Sequence, residues 1–150
     1  MNSIADFEDL LALFQEHRVR YLIIGGLAFI FHAKPRYTKD MDLWVENTPE
    51  NIARANQSLA AFGSPTLLTE NDPSQIVQIG VEPNRIDILV SVPPLQFASA
   101  WAKRIESPYG KSQACWIDLE SLWQVKQAID HPRHQEDARV LRQVLDQRRT

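Results

Sequence analysis

The stretch that decides the fold is residues 21–45, YLIIGGLAFIFHAKPRYTKDMDLWV. Its first four residues are aromatic, β-branched or leucine side chains, which predict a buried core strand. Gly25 and Gly26 end that strand, and the mostly apolar residues after them are typical of a short helix. Pro35 ends the helix, because proline cannot continue it. The sequence therefore predicts a strand–turn–helix unit built on two glycines.

Two aspartates, Asp40 and Asp42, begin the next apolar run. Side chains at positions i and i+2 of a strand point to the same side, so both carboxylates should face one point. Like charges held this close raise each other's pKa unless a cation lies between them. Oxygen ligands on a rigid strand favour a hard ion such as Mg²⁺. The pair therefore predicts a site for a divalent cation.

A third aspartate, Asp87, lies inside the apolar run from Ile86 to Val90. An ionised carboxylate in a buried strand is costly unless it is paired or bound to a metal ion. Two other arrangements stay open, since Asp87 either faces solvent or pairs with a local arginine such as Arg85. The metal-ligand interpretation is favoured over both.

Gly25 and Gly26 let the backbone turn sharply and let a phosphate approach amides that a Cβ would block. The helix after them would offer free N–H groups and a partial positive charge to that phosphate. A plain strand-to-helix turn is the alternative, and the downstream aspartates favour the phosphate site. Arg36, Thr38 and Lys39 lie on the approach to the aspartates. A cation there holds a triphosphate or an acceptor, or simply balances the carboxylates.

In order, these pieces are Gly25-Gly26, thirteen intervening residues, and Asp40-Met41-Asp42 between two apolar runs. They resemble the signature of the nucleotidyltransferase superfamily that includes DNA polymerase beta, whose third carboxylate lies on a later strand. Residues 36–42, RYTKDMD, are also similar to the Arg-x-Thr-x-Asp-x-Asp form of small members related to type IV toxin–antitoxin systems.

The resemblance implies an α+β fold (mixed α/β), with helices packed on a nucleotidyltransferase-type mixed β-sheet and a C-terminal helical segment. A length of 150 residues suits one domain. The expected core is residues 1–106 and the expected C-terminal helical part is residues 111–150. The implied activity moves a nucleoside monophosphate from an NTP, such as ATP, to a hydroxyl acceptor and releases pyrophosphate.

The resemblance also implies site residues. Asp40, Asp42 and Asp87 would be the catalytic residues and would hold two Mg²⁺ or Mn²⁺ ions. The nucleotide-binding residues would be Gly25, Gly26, Arg36, Thr38, Lys39 and Lys126.

The C-terminal part carries a weaker likeness. Lys126 is followed by HPRHQED at residues 131–137, which is similar to the Arg-Pro-Lys-Asp-x-x-Asp pattern of small nucleotidyltransferases. His131 stands where that pattern has arginine and His134 where it has aspartate, so no catalytic role is carried over to either. Lys126 is expected to reach a phosphate, and a solvated helix lysine is an equally weighted alternative.

Composition restricts the partners. The net charge of −3 argues against broad nucleic-acid binding, which needs many lysine and arginine contacts to phosphate. No apolar run approaches the length of a membrane span, and the acidic N-terminus does not suit a signal peptide. Cys115 is the only cysteine, so no intramolecular disulfide can form. We expect a cytoplasmic protein that makes no contact with a membrane.

The acceptor is the open question. The resemblance covers members that modify RNA ends, partner proteins in a toxin–antitoxin pair, or small molecules such as aminoglycosides. Length and acidic charge favour a partner protein (toxin or antitoxin) or a small molecule over RNA. Two rival functions remain: a catalytically silent nucleotidyltransferase-fold module that binds a nucleotide or a partner protein, and a metal-dependent phosphohydrolase.

Sequence patterns outside the motif predict the remaining scaffold. Residues 65–69 are expected to form a short edge strand, and residues 76–79 and 85–90 an antiparallel hairpin joined by Glu82-Pro83-Asn84. Apolar spacing from Phe97 to Ile105 predicts a helix.

Overall fold

The structure is a computed structural model that describes residues 3–81 and 84–148. Within them it has six helices and six strands. In chain order these are α1 (Ser3–Glu16), β1 (Tyr21–Ile24), α2 (Gly25–His32), β2 (Met41–Val45), α3 (Pro49–Phe62), β3 (Ile76–Ile79), β4 (Ile86–Leu89), α4 (Phe97–Ala102), β5 (Ile105–Glu106), β6 (Cys115–Trp116), α5 (Leu119–Ala128) and α6 (Pro132–Arg148).

The strands form one mixed sheet in the order β3-β4-β2-β1-β6-β5. Strand β1 is antiparallel to β2, and β2 is parallel to β4, so the two strands that carry the aspartates are neighbours. The predicted hairpin is confirmed, because β3 and β4 pair antiparallel. Of its connection, Glu82 and Pro83 lie outside the described residues. This architecture confirms the predicted α+β fold.

The sheet has a buried layer on each face. Alternate residues of the central strands, such as Leu43 and Ile88, join α1 and α3 in one apolar cluster. The other face carries Ile24 and Trp44 and packs against α2, α4, α5 and α6. Because strand side chains alternate, Asp42 lies on this second face together with Trp44. The C-terminal helices therefore cover the face on which the acidic residues lie.

One local prediction was wrong, and another was confirmed only in part. Residues 65–69 form no strand. Instead the side chain of Asn56 takes both hydrogen bonds of the Leu68 backbone, donating to its carbonyl and accepting from its amide at 2.9 and 2.8 Å. The helix expected from Phe97 onward ends at Ala102, and Ile105 belongs to β5.

None of the helices in residues 3–81 and 84–148 combines the length and the apolar character that a membrane crossing requires.

Candidate active site

The turn between β1 and α2 is the tightest part of the candidate site. Gly25 has a φ of +68°, a left-handed conformation that favours glycine, and a Cβ at this position would overlap the carboxylate of Asp42. A Cβ on Gly26 would lie 2.7 Å from the hydroxyl oxygen of Thr38. Both glycines are therefore required by contacts with residues of the predicted site, beyond the turn itself.

The three aspartates lie together at this turn. Asp42 pairs in register with Ile24 on one side and with Asp87 on the other, so the two carboxylates occupy neighbouring positions on one face of the sheet. Asp40 precedes β2, two residues before Asp42. Asp42 and Asp87 are therefore register neighbours, and Asp40 lies near enough for its charge to act on Asp42. That the three hold metal ions stays a prediction.

Charge and burial act most strongly on Asp42. Burial, and then the negative charges of Asp87 and Asp40, raise its pKa from 3.8 to about 6, while Lys126 and Arg85 act in the opposite direction. An ionised Asp42 is therefore costly in the metal-free protein, and a cation beside it would relieve that cost.

Arg85 is the cation closest to the other two aspartates. Its Nε and Nη2 donate to the two carboxylate oxygens of Asp87 at 2.8 and 3.1 Å. Its Nη2 also lies 3.9 Å from an oxygen of Asp40. Asp87 is thus a register neighbour of Asp42 and the ion-pair partner of Arg85, which is the local-arginine arrangement that the sequence left open. Its role as a metal ligand stays a prediction.

The donor set fits a hard divalent cation in chemical type. The three aspartates supply only carboxylate oxygens, and the Asp40 Oδ1 atom is buried with no hydrogen-bond partner. Among the residues that the structure describes, no three His, Cys, Asp or Glu side chains are already grouped as a metal site. Arg85 stands between two of the three aspartates instead.

A second cluster joins the C-terminal helices to the loop before β2. Arg36 donates to both oxygens of Asp137 at 2.7 and 3.1 Å, and the Lys126 ammonium lies 3.0 Å from the same carboxylate. The guanidinium of Arg36 also lies over the ring of Phe29, 4.1 Å from its centre. One buried carboxylate therefore holds two of the predicted phosphate-binding cations.

The pKa shifts of this cluster follow from burial. Burial lowers the pKa of Lys126, and the hydrogen bond to Asp137 offsets only part of that effect. Burial by itself would raise the pKa of Asp137, but hydrogen bonds from Arg36 and Lys126 outweigh it and lower that pKa. The Lys126 ammonium also lies 3.2 Å from Nδ1 of His134.

Most of the predicted nucleotide-binding residues line one small cavity of about 210 Å³. Its lining residues are Gly25, Gly26, Arg36, Thr38, Asp40, Asp42, Lys126, Arg133 and His134. Lys39 is not among them: it is exposed, and its ammonium lies 5.9 Å from the centre of the Tyr37 ring. Asp87 lies beside this cavity through its pairing with Asp42.

Arg133 and Asp137 were not among the predicted site residues. Both belong to the segment HPRHQED, so the likeness of that segment to a nucleotidyltransferase pattern was the available signal. No local pattern could predict that Asp137 pairs with Arg36, because the two residues are 101 positions apart in the chain.

The fold recurs in solved structures. The lincosamide antibiotic adenylyltransferase LnuA, with lincomycin bound, matches 95% of this chain and 99% of its own with a TM-score of 0.62 and 16% identity. ANT(2'')-Ia, in complex with adenylyl-2''-tobramycin, matches 95% of this chain and 88% of its own with a TM-score of 0.64 and 19% identity. TM1012 of Thermotoga maritima matches 94% of this chain and 91% of its own with a TM-score of 0.60 and 13% identity.

No protein-family model and no curated protein sequence matches the chain. The structural matches nevertheless span nearly all of it, and they confirm the nucleotidyltransferase fold that the motif implied.

We expect Asp42→Asn to stabilise the metal-free protein above pH 6. A carboxylate with a raised pKa stabilises the fold while protonated, and this stabilisation is lost as the pH rises through about 6. The free energy of unfolding in urea with EDTA should therefore increase by about 2–3 kcal/mol at pH 8, and the gain should vanish near pH 4. The exposed variant Asp130→Asn is the control, and an equal gain at both pH values would contradict the shift.

We expect Asp137→Asn to destabilise the protein by about 3 kcal/mol, because it leaves the buried Lys126 and the half-buried Arg36 without their carboxylate. Urea unfolding at pH 7 measures the loss. Glu136→Gln is the matched control, since the neighbouring Glu136 pairs with Arg139 in solvent, where such pairs contribute little. Equal effects of the two variants would show that the Asp137 cluster does not stabilise the fold.

Proposed function

We propose that the chain is a metal-dependent nucleotidyltransferase, which moves a nucleoside monophosphate from an NTP to a hydroxyl acceptor and releases pyrophosphate. The observation that carries the proposal is the pairing of Asp42 with Asp87 on adjacent strands, directly beside the glycine turn. Asp40 completes the acidic group. The fold shared with LnuA and ANT(2'')-Ia supports the same chemistry.

The acidic side of the site would bind the reacting phosphate. Divalent cations held by Asp40, Asp42 and Asp87 would neutralise the charge on the attacking and leaving oxygens of an in-line displacement. Mg²⁺ or Mn²⁺ suits a donor set made only of oxygens. We assign two ions to these three carboxylates.

The opposite side of the cavity would bind the β and γ phosphates. The N-cap residue of α2 is Ile24, whose side chain makes no capping hydrogen bond, so the amides of the first turn would donate to a bound anion. Gly26 keeps that approach open, and Arg36, Lys126 and Arg133 add positive charge along the same cavity. Asp137 would act as a positioning residue, because it fixes two of these cations.

The reaction balances without a covalent enzyme intermediate. The acceptor oxygen forms a bond to the α-phosphorus while the bond from that phosphorus to the bridging oxygen breaks, and pyrophosphate leaves. The acceptor proton goes to a carboxylate within hydrogen-bond reach, for which we assign Asp87. Asp87 lies on β4, and β2 separates it from the glycine turn.

We further propose a small-molecule acceptor and ATP as the NTP. An apolar groove of about 510 Å³ borders the catalytic cavity and shares Gly25, Lys126 and His134 with it. This volume is typical of a site for a drug-sized ligand. Its described lining includes Pro94, Val125 and no aspartate or glutamate, so it suits an uncharged or amphipathic molecule better than a polycation.

LnuA and ANT(2'')-Ia, whose bound molecules are lincomycin and adenylyl-2''-tobramycin, support a small acceptor for this fold. A partner protein in a toxin–antitoxin pair and an RNA end stay predictions from the motif.

The direct test is transfer of label from [α-³²P]ATP in Mg²⁺ to a panel of hydroxyl compounds, with lincomycin and tobramycin as its amphipathic and polycationic members. We expect label transfer and pyrophosphate release, both reduced at least a hundredfold in Asp42→Asn and unchanged in Asp130→Asn. Nucleotide binding without transfer would favour the silent module, and phosphate release without an acceptor would favour the phosphohydrolase.

Gly26→Ala tests the phosphate side separately. The added methyl group would crowd Thr38 and the amides of α2, so we expect the KM for ATP to rise about tenfold while kcat changes less. Gly63→Ala is the control for a glycine loss outside the cavity: its φ of +94° makes alanine strained there although no atom is close to the position, so it shows the effect of destabilisation alone. An unchanged KM for ATP in Gly26→Ala would show that the glycine turn does not contribute to nucleotide binding.

A further inference from the structure

Arg85 contacts two of the three aspartates to which the proposed function assigns metal binding. It lies just before β4, two residues from Asp87, and its guanidinium donates to both oxygens of that carboxylate. It also reaches within 3.9 Å of Asp40. Arg85 thus lies where the charges of two site carboxylates meet.

The backbone of Arg85 is held by the sheet, and its side chain is partly exposed to solvent. Its carbonyl accepts a hydrogen bond of 2.9 Å from the amide of Met41, the residue between Asp40 and Asp42. The side chain is 27% exposed, so solvent reaches it. The sheet therefore anchors Arg85 beside the aspartates, with its guanidinium within reach of solvent ions.

A guanidinium and a divalent cation compete for this place. Both are positive, and both need the oxygens of Asp87, which the planar fork of arginine already engages as a pair. An ion that binds Asp87 must therefore displace the Arg85 guanidinium or bind more weakly because of its positive charge.

We propose that Arg85 is a built-in counter-cation, which neutralises Asp87 and Asp40 in the metal-free protein and competes with divalent ions for them. The inference rests on the proposed function, since it takes these carboxylates to be metal ligands. It assigns Arg85 two opposite effects: it stabilises the metal-free fold, and it weakens metal binding. A merely structural arginine would show the first effect without the second.

The test is Mn²⁺ binding by the full chain without nucleotide, measured by electron paramagnetic resonance of the free ion. Arg85→Gln should bind Mn²⁺ at least tenfold more tightly than the unchanged protein, and its Tm in EDTA should fall. Arg85→Lys should fall between the two, because lysine keeps the charge but cannot form the fork. Arg104→Gln is the matched control: this arginine has a similar exposure of 30% and pairs with Glu106 away from the site.

Unchanged or weaker Mn²⁺ binding by Arg85→Gln overturns the inference. If that happens while Asp42→Asn still abolishes Mn²⁺ binding, the proposed metal site stands and only the role of Arg85 fails. If the unchanged protein and Arg85→Gln both fail to bind Mn²⁺, the metal site and the inference fail together.

A second measurement needs no substitution at Arg85 and covers the case in which Arg85→Gln does not fold. In the unchanged protein, Mg²⁺ should shift the NMR signal of the Arg85 Nε–H out of its hydrogen-bonded position. The Arg104 Nε–H should not move. An Arg85 signal that stays in place at saturating Mg²⁺ overturns the competition.

Discussion

Repulsion between acidic side chains on adjacent strands is the constraint on which the rest of the structure depends. Asp42 and Asp87 are register partners, and burial gives their charges little water to screen them. Cationic side chains of two different parts of the fold offset this repulsion. Arg85 pairs with Asp87 on the outer side, and Lys126 opposes the charge of Asp42 from the C-terminal helices. In the candidate site, cationic side chains of the protein itself thus oppose the charge of the carboxylates when no ligand is bound.

The C-terminal helices belong to this arrangement as much as the sheet does. Lys126 comes from α5 and Asp137 from α6, and their ion pair is closed by Arg36 from the loop before β2. The same helices pack Leu122 and Leu141 against the second face of the sheet. Apolar packing therefore brings the helices to the sheet, and the buried ion pairs fix where their cations lie.

Local sequence patterns were enough for the strand–turn–helix unit and the hairpin, because each depends on neighbours within a few residues. The placement of Asp87 beside Asp42 came from the family resemblance, since the two residues are far apart in the chain. Local patterns were not enough where a side chain reaches across the fold. The segment at 65–69 resembles a strand, but Asn56 takes the hydrogen bonds of Leu68 that a neighbouring strand would have used. Lys39 lies beside the motif yet turns outward, while Arg36 turns inward to Asp137, a partner that no local pattern reveals.

The long reach between Arg36 and Asp137 has a consequence for biosynthesis. Arg36 leaves the ribosome 101 residues before the carboxylate that orients it. A nascent chain that stops ahead of α6 already contains the glycine turn and every acidic residue of the motif, yet its arginine has no anchor. Premature termination or proteolysis before α6 thus leaves a fragment that contains every residue of the motif. Such a fragment lacks Asp137, so Arg36 is not oriented.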